Sequence, residues 1–178
     1  MSRAKILDKE FETTYSQEQI LVAERVVADA INKDLADRDP LFLCVLNGAF
    51  MFAADLMKMV NIPSRISFVK LASYSGTQST GKVKELIGLN EDLTGRCVVL
   101  IEDIVDTGFT IQMLIDQAKA RGAAEVRVAT LLFKPQSCKT GFVPDYVGLE
   151  IPNDFIVGYG LDYDGYGRNM PEIMTLVK

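Results

Sequence analysis

The chain has 178 residues, 48% hydrophobic and 24% charged, ordinary values for a globular protein long enough to bury a substantial core. Its net charge of −5 argues against a broad electrostatic grip on nucleic acid, which needs clustered Lys and Arg. Histidine is absent, which removes Ser-His-Asp and Cys-His nucleophile schemes and every His-ligated metal site, so acid–base work falls to Asp, Glu, Lys or Tyr. Cys44, Cys97 and Cys138 stand singly without metal or redox spacing, the first two in or beside apolar runs where a reduced thiol is expected. No apolar export segment opens the chain and no run spans a membrane. The expectation is a soluble, cytoplasmic protein with one domain over residues 1–178.

In chain order, Ser16 with Gln19 three residues on is a capping-box pattern. Ile20, Ala23, Val27, Ala30 and Ile31 then form one apolar stripe, predicting a helix over 16–31 packed on a sheet. The continuous apolar run 41–46 predicts a buried strand that delivers Asn47-Gly48-Ala49 and a helix over 50–59, packed through Met51, Phe52, Leu56 and Met57. Asn47-Gly48 is equally an ordinary turn after a strand. Residues 65–71 alternate as a strand. The polar stretch 73–81, with Tyr74 its one large apolar group, is a lid, a binding loop or disorder, and residues 82–89 read as a return strand.

Val98 to Ile101 is a strand buried on both faces, ending in the carboxylates Glu102 and Asp103. After Ile104 and Val105 comes Asp106-Thr107-Gly108-Phe109-Thr110, and a helical period follows over 111–121. Residues 125–133 form a further parallel strand closed by Lys134, either a solvated strand end or a donor into the cleft. From Pro144 to Arg168, strand-like runs broken by Gly and Pro predict an irregular hood, over about residues 144–178 with part of the N-terminus. Phe155 there serves a core as readily as a site, and an isolated Arg168 in a Gly-rich loop is as readily a surface residue.

The turn after the central strand is chemically suited to an anion. Backbone N–H groups from Thr107 to Thr110 open a helix whose dipole favours negative charge. Two threonine hydroxyls add donors, and Gly108 permits close approach or a positive φ. Glu102 and Asp103 beside it suit sugar hydroxyls or Mg²⁺, a hard cation that takes oxygen ligands. The stretch therefore points to a sugar phosphate with Mg²⁺ nearby, against the plainer reading in which Asp106 and Thr107 only cap the helix.

The run Glu-Asp-Ile-Val-Asp-Thr-Gly-Phe-Thr over 102–110, after its apolar strand, resembles the phosphoribosyl-pyrophosphate signature of type I phosphoribosyltransferases. With the flanking features, the chain from about Leu41 to Arg168 resembles the hypoxanthine (hypoxanthine–guanine) phosphoribosyltransferases in particular. The resemblance implies an α/β fold, a central, mainly parallel sheet flanked by helices under a small hood. It implies transfer of ribose phosphate from phosphoribosyl pyrophosphate to hypoxanthine, and to guanine, in purine salvage. Asp106, Thr107, Gly108, Phe109 and Thr110 would bind the 5′-phosphate, with Asp106 as general acid/base. Glu102 and Asp103 would face the ribose and, with Asp162, Mg²⁺, partly through water. Leu46, Asn47, Gly48 and Ala49, with a strained or cis Leu46–Asn47 peptide, and Arg168 would bind pyrophosphate. Lys134 would contact the exocyclic oxygen of a 6-oxopurine, Phe155 would stack on the base, and Ile156 and Asp162 would line its pocket. Ser73 and Tyr74 would begin a mobile loop, about residues 73–83, that covers the site.

Some family members carry a basic residue where this chain has Asn47 and a lysine where it has Phe109, so backbone amides are expected to carry more of the anion binding here. The family is usually oligomeric, implying a homodimer or homotetramer. Two other classes stay open: a regulator that keeps this fold but binds RNA or a transcription partner, and a signalling domain gathering Mg²⁺ near a phosphoacceptor. The acidic balance weighs against RNA, and a signalling domain would have no use for Lys134, Phe155 and Arg168.

Overall fold

The computed structural model describes residues 2–74 and 83–177. Two sheets organise them. The central sheet runs in the order β5 (Val83–Ile87), β4 (Arg65–Tyr74), β3 (Leu41–Leu46), β6 (Cys97–Val105), β7 (Glu125–Phe133) and β8 (Tyr146–Glu150). Five of these strands are parallel; β5 alone runs antiparallel, against β4.

The unbroken apolar runs have a simple cause: both faces of the sheet are covered. Along β3 and β6, Phe42, Cys44, Val99 and Ile101 pack under α1 (Gln17–Asp34) and α2 (Phe50–Met59), while Leu41, Leu43, Val98 and Leu100 pack under α3 (Phe109–Ala120). Helix α1 starts where the capping box places it. Ser16 N–H donates to Gln19 Oε1 at 2.9 Å, and Gln19 N–H donates to Ser16 Oγ at 3.3 Å. Its stripe differs from expectation at three positions: Ala30 is only half-buried, and Ala28 and Glu24 are wholly buried.

The second sheet is the hood, antiparallel in the order β1 (Arg3–Ile6), β2 (Lys9–Tyr15), β10 (Ile173–Leu176) and β9 (Ile156–Val157). Ile6, Phe11, Val157 and Met174 form its own small core. The hood begins later than residue 144, because Tyr146–Glu150 pairs with β7 and extends the central sheet. Two other boundaries shift. Strand β6 does not stop at the carboxylates but carries Glu102 and Asp103 within it to Val105, and α3 starts at Phe109 rather than residue 111. Ser73 and Tyr74 close β4, antiparallel to β5 as the return strand requires; the loop expected beyond them, residues 75–82, lies outside the described residues.

Candidate active site

The carboxyl ends of β3, β6 and β7 meet the hood at one edge of the central sheet. Glu102 and Asp103 are successive residues of β6, and both line the cleft at its carboxyl end. Glu102 is buried opposite Thr130 of β7, and burial, reinforced by the charge of Asp103, pushes its carboxyl well above the ordinary range. Burial also raises Asp103, against the pull of backbone N–H groups, including that of Ile104 at 2.9 Å from Oδ1, and of the Arg168 charge.

Beyond Val105 the chain turns through Gly108, which has φ +85° and starts α3. No side chain caps the helix and its first turn holds no acidic residue, so the plain capping role for Asp106 and Thr107 is not what the turn uses. The amides open instead onto a cleft of about 200 Å³ lined by Glu102, Asp103, Asp106, Thr107, Gly108 and Thr110 among others. The strap after β7 holds this turn: Lys134 N–H donates to Val105 O at 2.9 Å and Lys139 N–H to Thr107 O at 3.0 Å. A Cβ on Gly108 would lie 2.2 Å from Thr140 Oγ1, so the strap's packing, as well as φ, requires glycine. Phe109 is exposed and can offer the cradle only its backbone.

The loop after β3 meets the same acidic edge. The Leu46–Asn47 peptide is cis, Asn47 is exposed, and α2 starts without a side-chain cap or an acidic first turn. Gly48 lies against the Asp103 carboxylate so closely that a Cβ would sit 1.6 Å from Oδ2. On the other side, Gly160 of the hood rests on the Gly48 carbonyl; its own Cβ would lie 2.0 Å from that oxygen. Arg168 completes the arch. Its guanidinium donates to Gly160 O at 2.7 Å and pairs with Asp162 at 2.6 Å. Arg168 is therefore a half-buried part of this layer and not a free surface residue.

Lys134 occupies the third corner, only 7% exposed. Its ammonium donates to Asp154 O at 2.9 Å, approaches Asn153 Oδ1 at 3.5 Å, and lies 3.7 Å from Asp106 Oδ2. It thus joins the hood to the turn over 106–110. Phe155 is half-exposed, with Tyr163 edge-on at 5.8 Å and 90° and Phe11 at 6.1 Å. Ile156, the next residue, is buried.

Among the described residues no three His, Cys, Asp or Glu side chains form a metal-holding group, so Glu102, Asp103 and Asp162 make no closed protein cage. An open acidic edge does suit Mg²⁺, which keeps several waters and takes one or two carboxylates together with substrate phosphates. Two adjacent carboxylates that burial drives toward protonation are a donor set a dication would relieve. Sequence reasoning missed Gly160, Tyr159 and Asn153; the spacing Gly158-Tyr159-Gly160 was the available signal, but its partner Gly48 is remote in the chain.

The sequence matches the phosphoribosyl transferase domain over residues 13–164. It is 42% identical to a hypoxanthine–guanine phosphoribosyltransferase of Streptococcus thermophilus over 163 residues, 91% of each chain. Its fold is similar to that of a hypoxanthine phosphoribosyltransferase from Staphylococcus aureus, with TM-score 0.85, 34% identity and coverage of 93% of this chain and 91% of the other. A hypoxanthine–guanine phosphoribosyltransferase from Bacillus anthracis is similar at TM-score 0.85 and 34% identity, covering 93% of this chain and 98% of that one. The strand carrying Glu102 and Asp103, the uncapped amides of α3 and the overlying hood thus have their explanation: the chain belongs to the phosphoribosyltransferase family.

Proposed function

We propose that this chain is a purine salvage enzyme that transfers the phosphoribosyl group from phosphoribosyl pyrophosphate to an imidazole nitrogen of hypoxanthine, and of guanine, giving IMP or GMP and pyrophosphate. The observation that carries the choice of base is Lys134. An almost wholly buried ammonium, 3.7 Å from Asp106 and bound to a hood carbonyl, offers a donor where a 6-oxo group can accept and an amino group cannot. Phe155 presents a half-exposed ring for stacking, worth about 1–3 kcal/mol per base.

The attacked anomeric carbon gains oxocarbenium character as pyrophosphate leaves, as in glycoside hydrolysis. The amides of Thr107 to Thr110 hold the 5′-phosphate and fix the ribose ring below the base. Glu102 and Asp103 orient the ribose hydroxyls. Gly48, Asn47 and Arg168 receive the pyrophosphate, through backbone amides and one planar guanidinium. Asp106, between the phosphate turn and Lys134, takes the proton of the attacking purine, a role typically worth ~10²–10⁴-fold. Mg²⁺, held by Glu102 and Asp103 with Asp162, partly through water, would supply positive charge for the leaving pyrophosphate. The chain works in the cytoplasm as a homo-oligomer, dimer or tetramer; exposed Phe50, Phe68 and Phe109 offer apolar surface for that assembly.

The experiment is ³¹P detection of pyrophosphate and nucleotide from phosphoribosyl pyrophosphate, hypoxanthine and Mg²⁺. Stoichiometric IMP and pyrophosphate are expected. Donor binding without either product would point instead to a regulator that retains the cradle.

A further inference from the structure

A buried polar cluster lies outside the catalytic cleft. Glu24 of α1 is wholly buried, and Tyr159 of the hood is 1% exposed. The Tyr159 hydroxyl oxygen lies 2.8 Å from Glu24 Oε1 and 2.6 Å from Asp55 Oδ2 of α2. Both contacts join a phenol to a carboxyl oxygen, yet the phenol has one hydrogen. Two hydrogen bonds need a second proton, and it must sit on a carboxyl group.

The surroundings decide which one. Lys58 Nζ is 2.5 Å from Asp55 Oδ1. Burial opposes the charge on Asp55, but the hydrogen bonds from Lys58 and Tyr159 outweigh it and hold its carboxyl below the ordinary range. Among the described residues Glu24 forms no ion pair, and its Oε2 is buried with no hydrogen-bond partner. The charged groups facing it are Asp55 and Lys58, with Tyr159 between. The proton therefore belongs to Glu24, which donates to the Tyr159 oxygen, while Tyr159 donates to ionised Asp55. Burial, helped by Asp55, raises the Glu24 carboxyl to about 8 in agreement.

Tyr159 also sits at φ +49°, between Gly158 at +95° and Gly160 at +96°. A left-handed conformation is unfavourable for a side chain with a Cβ, so the ring's burial and two hydrogen bonds must hold it. What they hold is the arch: Gly160 rests on the Gly48 carbonyl, and its own carbonyl accepts from Arg168.

We propose that Glu24, Tyr159 and Asp55 are positioning residues, a proton-sharing anchor that ties the Tyr159–Gly160 arch to α1 and α2 and thereby sets Gly48 and Arg168 for the pyrophosphate end of the donor. The proposal rests on the donor-binding reading of Gly48 and Arg168. Loss of the Glu24 proton removes one of the two hydrogen bonds and leaves two carboxylates facing one phenol. The arch then loosens, and the donor KM rises while the KM for hypoxanthine does not.

The test measures donor and base KM against pH in the wild type, Glu24→Gln and Tyr159→Phe. The wild-type donor KM should rise about tenfold between about pH 7 and pH 9, the scale of one lost hydrogen bond. In Glu24→Gln the amide N–H replaces the carboxyl proton and cannot ionise, so the donor KM should match wild type near pH 7 and lack this rise. Tyr159→Phe should show the raised donor KM throughout, with the hypoxanthine KM unchanged. A rise that persists in Glu24→Gln, or a normal donor KM in Tyr159→Phe, would overturn the proposal. Infrared difference spectra between wild type and Glu24→Gln give a readout independent of catalysis. A protonated-carboxyl band should be present near pH 7 and lost above about pH 9, and its absence would overturn the anchor whatever the donor does. A wild type that binds no donor, yet shows the band, would refute the donor-binding reading on which the arch's role depends.

Discussion

Replacing Gly48 by alanine probes the Gly48–Asp103 contact proposed to set the donor end of the cleft. The new Cβ would lie 1.6 Å from Asp103 Oδ2 and 2.6 Å from its Cγ. Contact at ordinary van der Waals distance needs the two groups to part by about 1.5–2 Å. The loop cannot retreat, because Gly160 already rests on the Gly48 carbonyl. The carboxylate must therefore swing away, at the cost of its bond from Ile104 N–H at 2.9 Å and its proximity to Arg168. A hydrogen bond to a charged acceptor contributes about 1.5–3 kcal/mol, and a 1 Å misplacement near reacting groups costs about 10²-fold. We expect kcat/KM for phosphoribosyl pyrophosphate to fall about 10²–10³-fold. Hypoxanthine binding should change little, since Lys134 and Phe155 lie on other elements. The assay is initial rate against donor concentration at saturating hypoxanthine. A Gly48→Ala enzyme with kcat/KM for the donor near wild type would refute the argument that this contact positions Asp103.

Asp106→Asn removes the proposed proton acceptor and should lower kcat ~10²–10⁴-fold with donor affinity retained, measured by turnover beside donor titration; unchanged turnover would remove its catalytic assignment. Lys134→Ala should cost about 10–100-fold in kcat/KM with hypoxanthine, and an equal loss with adenine would refute its role in base choice. Stability should depend on Glu24. The unfolded chain releases that proton near the ordinary 4.5, whereas the native chain keeps it to about 8. The native state therefore holds the extra proton across this window, so stability falls as pH rises through it and levels off above it. Urea unfolding at about pH 5 and pH 9 should show Glu24→Gln gaining on wild type by about 3–5 kcal/mol at the higher pH; a difference independent of pH would contradict a buried proton.

Much of the scaffold is legible locally because local pattern and global burial agree. β3, β6 and β7 are continuous apolar runs since helices cover both faces, and the capping box of α1 satisfies its own amides without help from the rest of the chain. The run 102–121 was legible as strand, turn and helix from the order of its residue types, whereas Lys134, Phe155, Ile156 and Asp162 were singled out only through the family resemblance. What escaped is long-range. Tyr146–Glu150 carries glycine and mixed polarity, yet pairs with β7, whose edge takes up its backbone groups. Glu24 sits inside an apolar stripe for reasons contributed by Tyr159, 135 residues away. Gly48, Gly160 and Asp103 form one layer through contacts that no periodicity encodes.

In the proposed function the cleft under the hood passes ribose phosphate to a 6-oxopurine and to no other base. The most direct test is kcat/KM for hypoxanthine, guanine, xanthine, adenine and uracil, offered separately with phosphoribosyl pyrophosphate and Mg²⁺. Turnover confined to the oxopurines, with hypoxanthine among the substrates, is the predicted result. Comparable turnover of adenine or uracil would contradict the proposed function, because the buried Lys134 ammonium would then not be reading the base.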